Sequence, residues 1–318
     1  MGTTASGAQP YESRSVSTRV PKQDGMLLQI SLGLLVVFWG LAFVAIEVAL
    51  RHMSWITLTF LRFASAAMFF VGYLAVARPS PRIERRDLPI VATLGFLGFT
   101  GYHLFLNLGQ SDPATTAGTS ALVISSVPAF IAVLAAWHLR EALNVLRMAG
   151  IALAFVGLAV MLLLGAPGSE LRVTFTPSAA LIVPSAIFAA FYAVLAKPYL
   201  RKYRPFQLVA YAILFGTAFT LPLVAADAGR TASDIATMGL EGWLPILYLG
   251  VFPTFLAYGI WFRAMQKMEA SAVGTYVYLS TLVAVLAGVY FLGESLTLPL
   301  VLGGAMVIAG VYLAQRKK

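Results

Sequence analysis

The sequence contains no cysteine and few charged residues, and it lacks the short motifs of several enzyme classes. Without cysteine, disulfides, thiol catalysis and iron–sulfur clusters are excluded. Charged residues make up 11% of the 318 residues, against roughly 25% in soluble domains. There is no Gly-x-x-x-x-Gly-Lys-Ser/Thr loop for ATP and no His-Glu-x-x-His pair for zinc. We therefore expect no ATP, no cofactor, no metal site and no catalytic residues.

Apolar sequence is abundant: 59% of the residues are hydrophobic and the mean hydropathy is +0.84. Apolar runs of roughly 18–25 residues are long enough to cross a bilayer as helices. Ten such runs predict an all-α polytopic membrane protein in contact with membrane lipids. They lie near residues 27–49, 55–77, 88–107, 113–137, 144–164, 177–197, 205–226, 241–263, 271–292 and 298–314. Residues 1–25 are rich in Ser, Thr and Gly, a composition typical of a disordered tail.

The apolar part of the chain is written twice. The segment 137–141, Trp-His-Leu-Arg-Glu, recurs as Tyr-Phe-Leu-Gly-Glu at 290–294, an offset of 153 residues. Each copy holds five predicted spans, so the two copies must cross the membrane in opposite senses. We predict two inverted five-helix repeats, residues 26–165 and 177–315. Inverted repeats of this kind are the architecture of secondary transporters.

The distribution of Lys and Arg predicts the orientation. With a cytoplasmic N-terminus, 18 of the 22 basic residues fall on the cytoplasmic face, 3 fall on the opposite face, and Arg62 lies within a span. Basic residues accumulate in cytoplasmic loops, so both termini are predicted to be cytoplasmic. The net charge of +9 therefore reflects orientation in the bilayer, and no nucleic-acid partner is expected.

Short motifs in both halves carry a family resemblance. They are Phe38–Gly40, Phe43–Ile46, Leu61–Phe63, Ser125–Pro128, Leu139–Glu141, Leu292–Leu296 and the glycine pairs Gly150/Gly157 and Gly303/Gly310. In this order they resemble the EamA family of the drug/metabolite transporter superfamily, over residues 30 to 315. The pair Tyr102-His103 is also similar to the YddG-type branch, the aromatic amino acid exporters.

The resemblance implies a ten-helix exporter with a central cavity between its two halves. It favours alternating-access export of small metabolites, aromatic amino acids first, from the cytoplasm across a bacterial inner membrane. Export of flat cationic drugs is the alternative within the same family. An intramembrane enzyme and a channel are more distant alternatives.

Polar and aromatic residues inside the spans are the candidates for substrate binding. His103 is singled out because an ionisable residue in a bilayer is costly and tends to face a cavity. Its imidazole could couple transport to protons or bind a substrate carboxylate; the alternative is a neutral histidine bonded to a neighbour. The full predicted set comprises His103, Tyr102, Trp39, Asn107, Tyr258, Tyr276 and Tyr278.

Two charged residues near the outer ends of the first two helices are predicted to meet. Glu47 and Arg62 lie on either side of a short hairpin, and pairing is the cheapest way to hold either charge in lipid. The structural interpretation is an ion pair. In the functional interpretation, Arg62 receives a substrate carboxylate or Glu47 takes part in proton coupling.

Proline, serine, glycine and one further glutamate suggest moving and packing elements. Pro128, with Ser125 and Ser126, is predicted to interrupt the fourth span as a hinge. The paired glycines of the fifth and tenth spans predict close helix packing or the seam of a homodimer. Glu141, at the end of the fourth span, is predicted to cap the start of the next helix.

Overall fold

The computed structural model describes residues 22–78, 82–112, 120, 123–142, 144–164, 177–292 and 298–315. Most of the predicted tail and residues 113–119 of the fourth predicted span lie outside these residues. All regular secondary structure within the described ranges is helical, since a helix satisfies its backbone hydrogen bonds internally and can therefore enter a bilayer.

The helices follow the apolar runs. They are α1 (Lys22–Leu50), α2 (Trp55–Ala77), α3 (Leu88–Gly95), α4 (Tyr102–Gln110), α5 (Val127–His138), α6 (Val145–Leu164), α7 (Pro177–Ala180), α8 (Val183–Ala196), α9 (Pro205–Ala226), α10 (Ala228–Thr237), α11 (Leu240–Leu249), α12 (Ala257–Lys267), α13 (Ala270–Gly274), α14 (Tyr276–Leu292) and α15 (Leu298–Gln315). A π-helical segment, Phe96–Gly101, connects α3 to α4, and a second, Gly250–Leu256, connects α11 to α12. Single 3₁₀ turns, Arg85–Asp87 and Lys197–Arg201, precede α3 and follow α8.

Six of these helical segments are long and apolar enough to cross a membrane. They are Gly25–Leu50, Trp55–Ala77, Arg85–Gln110, Val183–Arg201, Pro205–Ala226 and Leu240–Lys267. Shorter apolar helices cover 127–138, 145–157, 270–284 and 301–314. The prediction of an all-α polytopic membrane protein is therefore confirmed, while the count of ten spans and their orientation stay predictions. One helix, α10, occupies a stretch that we had left outside the spans.

Local sequence explains where several helices begin. The Ser54 hydroxyl accepts a 3.2 Å hydrogen bond from the Thr57 amide and caps α2. Proline lies in the first turn of α3, α5, α8 and α9. In the first turn the missing N–H of proline costs nothing, because that amide has no partner within the helix.

The paired glycines join the two halves of the chain. A Cβ built on Gly150 of α6 would lie 2.6 Å from the carbonyl oxygen of Gly310 in α15. Likewise, a Cβ on Gly157 would lie 2.7 Å from the carbonyl oxygen of Gly303. The two backbones are in direct contact, so the predicted close packing occurs within one chain. A homodimer remains a prediction, and these glycines are already used inside the molecule.

Candidate functional site

A cavity of about 90 Å³ lies where helices from both halves of the chain meet. Residues of α1, α2, α4 and α5 and of the first π-helical segment line it from the first half of the chain, and residues of α8, α12 and α14 line it from the second half. We had expected a central cavity between the two halves, and Arg62 of α2 is among the residues that line this one.

Aromatic side chains form much of the cavity wall. The Trp39 ring lies 5.0 Å from that of Trp261 and 5.6 Å from that of Tyr258. Tyr192 adds a further ring 6.0 Å from Tyr258. These centroid distances and tilted geometries are those that aromatic pairs prefer. The Trp39 indole also donates a 3.0 Å hydrogen bond from Nε1 to the carbonyl of Pro253, which fixes the ring.

Both π-helical segments lie beside this wall. They begin 154 residues apart, at Phe96 and Gly250, close to the offset of the sequence repeat. Tyr102 follows the first segment directly, and Tyr258 follows the second. A π-helical turn inside an α-helix costs stability and occurs frequently at functional sites. The two turns therefore mark the same region of the molecule as the cavity does.

Arg62 of α2 brings the positive charge into the cavity wall. The residue is only 3% exposed. Its Nε donates a 2.9 Å hydrogen bond to the Thr254 hydroxyl of the second π-helical segment, and its guanidinium carbon lies 5.8 Å from the ring centre of Phe63. The Thr254 hydroxyl in turn donates to the carbonyl of Leu249 at 2.6 Å. A side chain of the first half is thus held by a helix of the second.

The predicted ion pair between Glu47 and Arg62 does not form. Glu47 Oε1 instead accepts a 3.0 Å hydrogen bond from Arg51, four residues later, and both side chains are well exposed. Arg51 lies four residues after Glu47, a spacing at which two side chains meet. Arg62 instead faces the cavity and Thr254. Glu47 therefore pairs with Arg51, and Arg62 lies in the cavity wall.

His103 lies in the cavity wall close to Arg62. It is 2% exposed, and its ring packs edge-on against Phe63 at 4.8 Å and Tyr102 at 4.4 Å. The ring also bonds to the backbone of Gly98 and Phe99 in the preceding turn. The predicted alternative, a histidine bonded to a neighbour, therefore has support beside the position of the ring in the cavity wall.

Three of the predicted binding residues lie outside the cavity wall. Asn107 is fully buried and donates a 2.9 Å hydrogen bond to the Thr59 hydroxyl. The Tyr276 hydroxyl bonds to the side chain of Gln29 at 2.8 Å. Tyr278 is fully buried in a cluster with residues of α6 and α15. The structure thus places His103, Tyr102, Trp39 and Tyr258 in the wall and assigns the other three to contacts between helices.

The predicted hinge is a turn before a helix. Ser125 and Ser126 form the turn, and Pro128 lies in the first turn of α5 rather than inside a continuous helix. The Ser126 hydroxyl donates a 2.7 Å hydrogen bond to the Val123 carbonyl. In the second half, Thr275 separates α13 from α14, so an interruption occurs there too.

Sequence reasoning missed two features. Tyr192 lines the cavity and its hydroxyl has no partner among the described residues; its position inside a span is the same signal that pointed to Tyr102. Glu141 caps the start of α13, in the other half, instead of the next helix, accepting a 2.7 Å bond from the Ala270 amide. Burial alone would raise the pKa of the Glu141 carboxyl, but the hydrogen bond from Lys197 and the groups around it lower that pKa below its ordinary value.

Within the described residues, apolar helices of membrane length surround a buried cavity, an arrangement that membrane transporters have. The sequence model of the EamA-like transporter family matches residues 27–163 and 176–315. The chain belongs to this family, whose members are transporters, not enzymes.

Two relatives agree with this assignment, and one solved structure shares the fold. The chain is 35% identical to an "Uncharacterized transporter" of Archaeoglobus fulgidus, over 91% of this chain and 99% of that protein. It is 32% identical to a "Probable terminal-alkyne amino-acid exporter" of Streptantibioticus cattleyicolor, over 90% of this chain and 93% of that protein. A solved crystal structure covers 91% of this chain and 96% of its own length with a TM-score of 0.71 and 19% identity, a likeness of fold alone.

Proposed function

We propose that this protein is a secondary exporter that moves amino acids, aromatic ones first, out of the cytoplasm by alternating access. The cavity between the two halves is the observation that carries the proposal. Many secondary transporters place their substrate site at the interface of two repeats, which rock around it. A buried cavity with aromatic walls and a few polar groups is also the usual form of a small-molecule site.

The proposed setting is a bacterial cytoplasmic membrane, with ten spans and both termini inside. The excess of Lys and Arg on one set of loops supports this orientation. The two glycine-paired helices α6 and α15, one from each half, support an arrangement in which equivalent helices of two inverted repeats pack together.

The walls of the cavity support the choice of substrate. Trp39, Tyr102, Tyr192, Tyr258 and Trp261 offer aromatic faces to a planar side chain. One relative carries the name of an amino-acid exporter. A cationic drug is less favoured, because the described residues that line the cavity include Arg62 and no acidic side chain. No observation favours a channel.

Counterflow of labelled phenylalanine in proteoliposomes tests this function. Purified protein is reconstituted, vesicles are preloaded with unlabelled phenylalanine, and entry of external label is followed with and without an imposed pH gradient. We expect saturable exchange by the wild type, much slower exchange by His103→Ala, and wild-type exchange by His138→Ala, which alters an exposed histidine at the end of α5.

Each outcome separates the alternatives. Accumulation of label driven by a pH gradient alone would show proton coupling. Exchange that a pH gradient does not convert into accumulation would show facilitated efflux. Flux that does not saturate would indicate a channel. A correctly folded protein that exchanges no amino acid would refute the proposal.

A further inference from the structure

Arg62 is a buried cation for which the described part of the chain provides no counter-charge. Its side chain donates one hydrogen bond, from Nε to Thr254, and forms no ion pair among the described residues. Glu47, the acidic residue that the sequence placed nearest to it, is paired with Arg51. A charge held in a bilayer without a partner is strongly unfavourable and marks a functional site by default.

The contact with Thr254 holds the guanidinium in one orientation. The Thr254 hydroxyl donates its own proton to the Leu249 carbonyl, five residues earlier, so its lone pairs are left to accept from Arg62 Nε. The same π-helical segment packs closely against α2, since a Cβ built on Gly250 would lie 2.0 Å from the Ser65 hydroxyl. With Nε occupied, the two Nη atoms remain. Their planar fork matches the two oxygens of a carboxylate.

A second polar side chain lies in the same wall. His103 is buried and lines the cavity, and its ring bonds to the backbone of Gly98 and Phe99 in the preceding turn. An imidazole nitrogen can accept a hydrogen bond from an amine or donate one to an oxygen. The cavity thus combines a cation, an imidazole ring and aromatic faces such as that of Trp39.

We infer that Arg62 is the carboxylate-binding residue of the transport site, and that the protein selects organic carboxylates and rejects amines that lack this group. The inference rests on the proposed function for the location of the site, and it names the class of substrate. It also assigns a function to the second π-helical segment, which positions Arg62 through Thr254.

Matched ligand pairs that differ only in the carboxylate provide the test. Phenylalanine and phenethylamine, tyrosine and tyramine, and leucine and 3-methylbutylamine are titrated into the purified full-length protein, and Kd is measured by calorimetry. We expect the carboxylate member of at least one pair to bind about 30-fold tighter or more, as for a buried charge pair. In Arg62→Gln this difference should fall to about threefold or less, because the counter-charge is gone.

Control variants separate loss of the site from loss of the fold. Arg51→Gln removes an exposed arginine that is paired with Glu47, and it should bind like the wild type. Arg62→Lys keeps the charge without the fork and should retain part of the preference. If Arg62→Gln does not fold, the ligand pairs on the wild type still test the carboxylate preference, and its partial loss in Arg62→Lys tests the residue.

The possible results distinguish this inference from the proposed function. A preference for leucine over its amine, with no binding of phenylalanine or tyrosine, would support Arg62 as the carboxylate-binding residue. It would refute aromatic amino acids as the substrate. Equal or tighter binding of the amines, an unchanged preference in folded Arg62→Gln, or no binding by any member of the three pairs would overturn the inference.

Discussion

Glu141 and Ser271 join the two halves of the molecule outside the cavity. Glu141, in the loop after α5, accepts a 2.8 Å hydrogen bond from the Ser271 hydroxyl in α13, and another of 2.8 Å from Lys197 at the end of α8. Arg147 donates to Ser271 at 3.1 Å and also pairs with Glu269. On the proposed orientation this cluster faces the cytoplasm. Under the proposed alternating access, the halves would separate here when the cavity opens to that side.

Removal of the Glu141 carboxylate should destabilise the protein. Its side chain is 7% exposed, and loss of one partner of a buried pair leaves Lys197 with an uncompensated charge. We expect Glu141→Ala to lower the free energy of unfolding by about 3 kcal/mol, measured by chemical or thermal denaturation in detergent. The control is Glu47→Ala, which breaks an exposed pair within one helical region and should cost about 0.5 kcal/mol or less. Equal effects of the two variants would contradict the assignment.

Stability should also depend on pH through the contacts between halves. Lys202 bonds to Glu84 and Asp87 at 2.7 Å, and the hydrogen bond from Lys202 lowers the pKa of Glu84, as the pKa of Glu141 is lowered. A carboxyl whose pKa is lower in the folded state contributes its stability above the unfolded value, about 4.3 for glutamate. That contribution is lost as pH falls through the lowered folded value.

We therefore expect a nearly constant unfolding temperature from pH 7 to about 5, and a fall below about pH 4. Lys202→Met should make the fall shallower because it returns the pKa of Glu84 toward the ordinary value. Arg230→Met, which alters an exposed residue of α10, should leave the pH profile unchanged. If the pH profile of Lys202→Met is parallel to that of the wild type, this cluster contributes nothing to the pH dependence of stability.

The glycine contact between α6 and α15 should not tolerate a methyl group. A Cβ on Gly150 would lie 2.5 Å from the Ala314 amide nitrogen and 2.6 Å from the Gly310 carbonyl. Both are backbone atoms, so the helices would have to move apart. We expect Gly150→Ala to lower the free energy of unfolding by about 1–3 kcal/mol.

Gly72→Ala is the matched control for this variant. It lies in α2 with nothing within 4 Å of the added methyl group, and alanine should stabilise the helix by up to about 1 kcal/mol. Denaturation of both variants under one set of conditions gives the comparison. A neutral Gly150→Ala would mean that the two helices are not in backbone contact.

The sequence was most informative where a property depends on one segment alone. The predicted spans 55–77 and 205–226 coincide with α2 and α9, because the length of an apolar run is read directly from the chain. The glycine pairs were likewise visible as motifs. The helix against which each pair packs could not be predicted, because packing within a chain and packing between copies give the same pattern of small residues.

Contacts between the two halves could not be predicted. The orientation of Arg62 depends on Thr254, almost 200 residues later, and on a π-helical turn that no residue pattern marks. Glu141 has the spacing of an ordinary helix cap, yet its partners lie in the other half. For Asn107 and Tyr278 the sequence shows only a polar group in a span, and whether such a group meets a cavity or a neighbouring helix depends on helix rotation.

The turn before α5 provides the last prediction. Pro128 follows Ser125 and Ser126, where the chain is not helical, and the Ser126 carbonyl accepts from the Ala129 amide at 3.1 Å. In Pro128→Ala an amide would be restored, and the helix could extend back through the turn. We expect the variant to stay folded, with a free energy of unfolding within about 1 kcal/mol of the wild type, while exchange slows several-fold because the segment can no longer bend.

The control is Pro89→Ala, which makes the same substitution in the first turn of α3, outside the cavity wall. Counterflow and equilibrium binding are measured together for both variants. Slower exchange with unchanged binding in Pro128→Ala would indicate a step of conformational change, since the wall residues that contact the substrate are intact. Wild-type exchange in both variants would show that the turn is a fixed part of the structure and not a hinge.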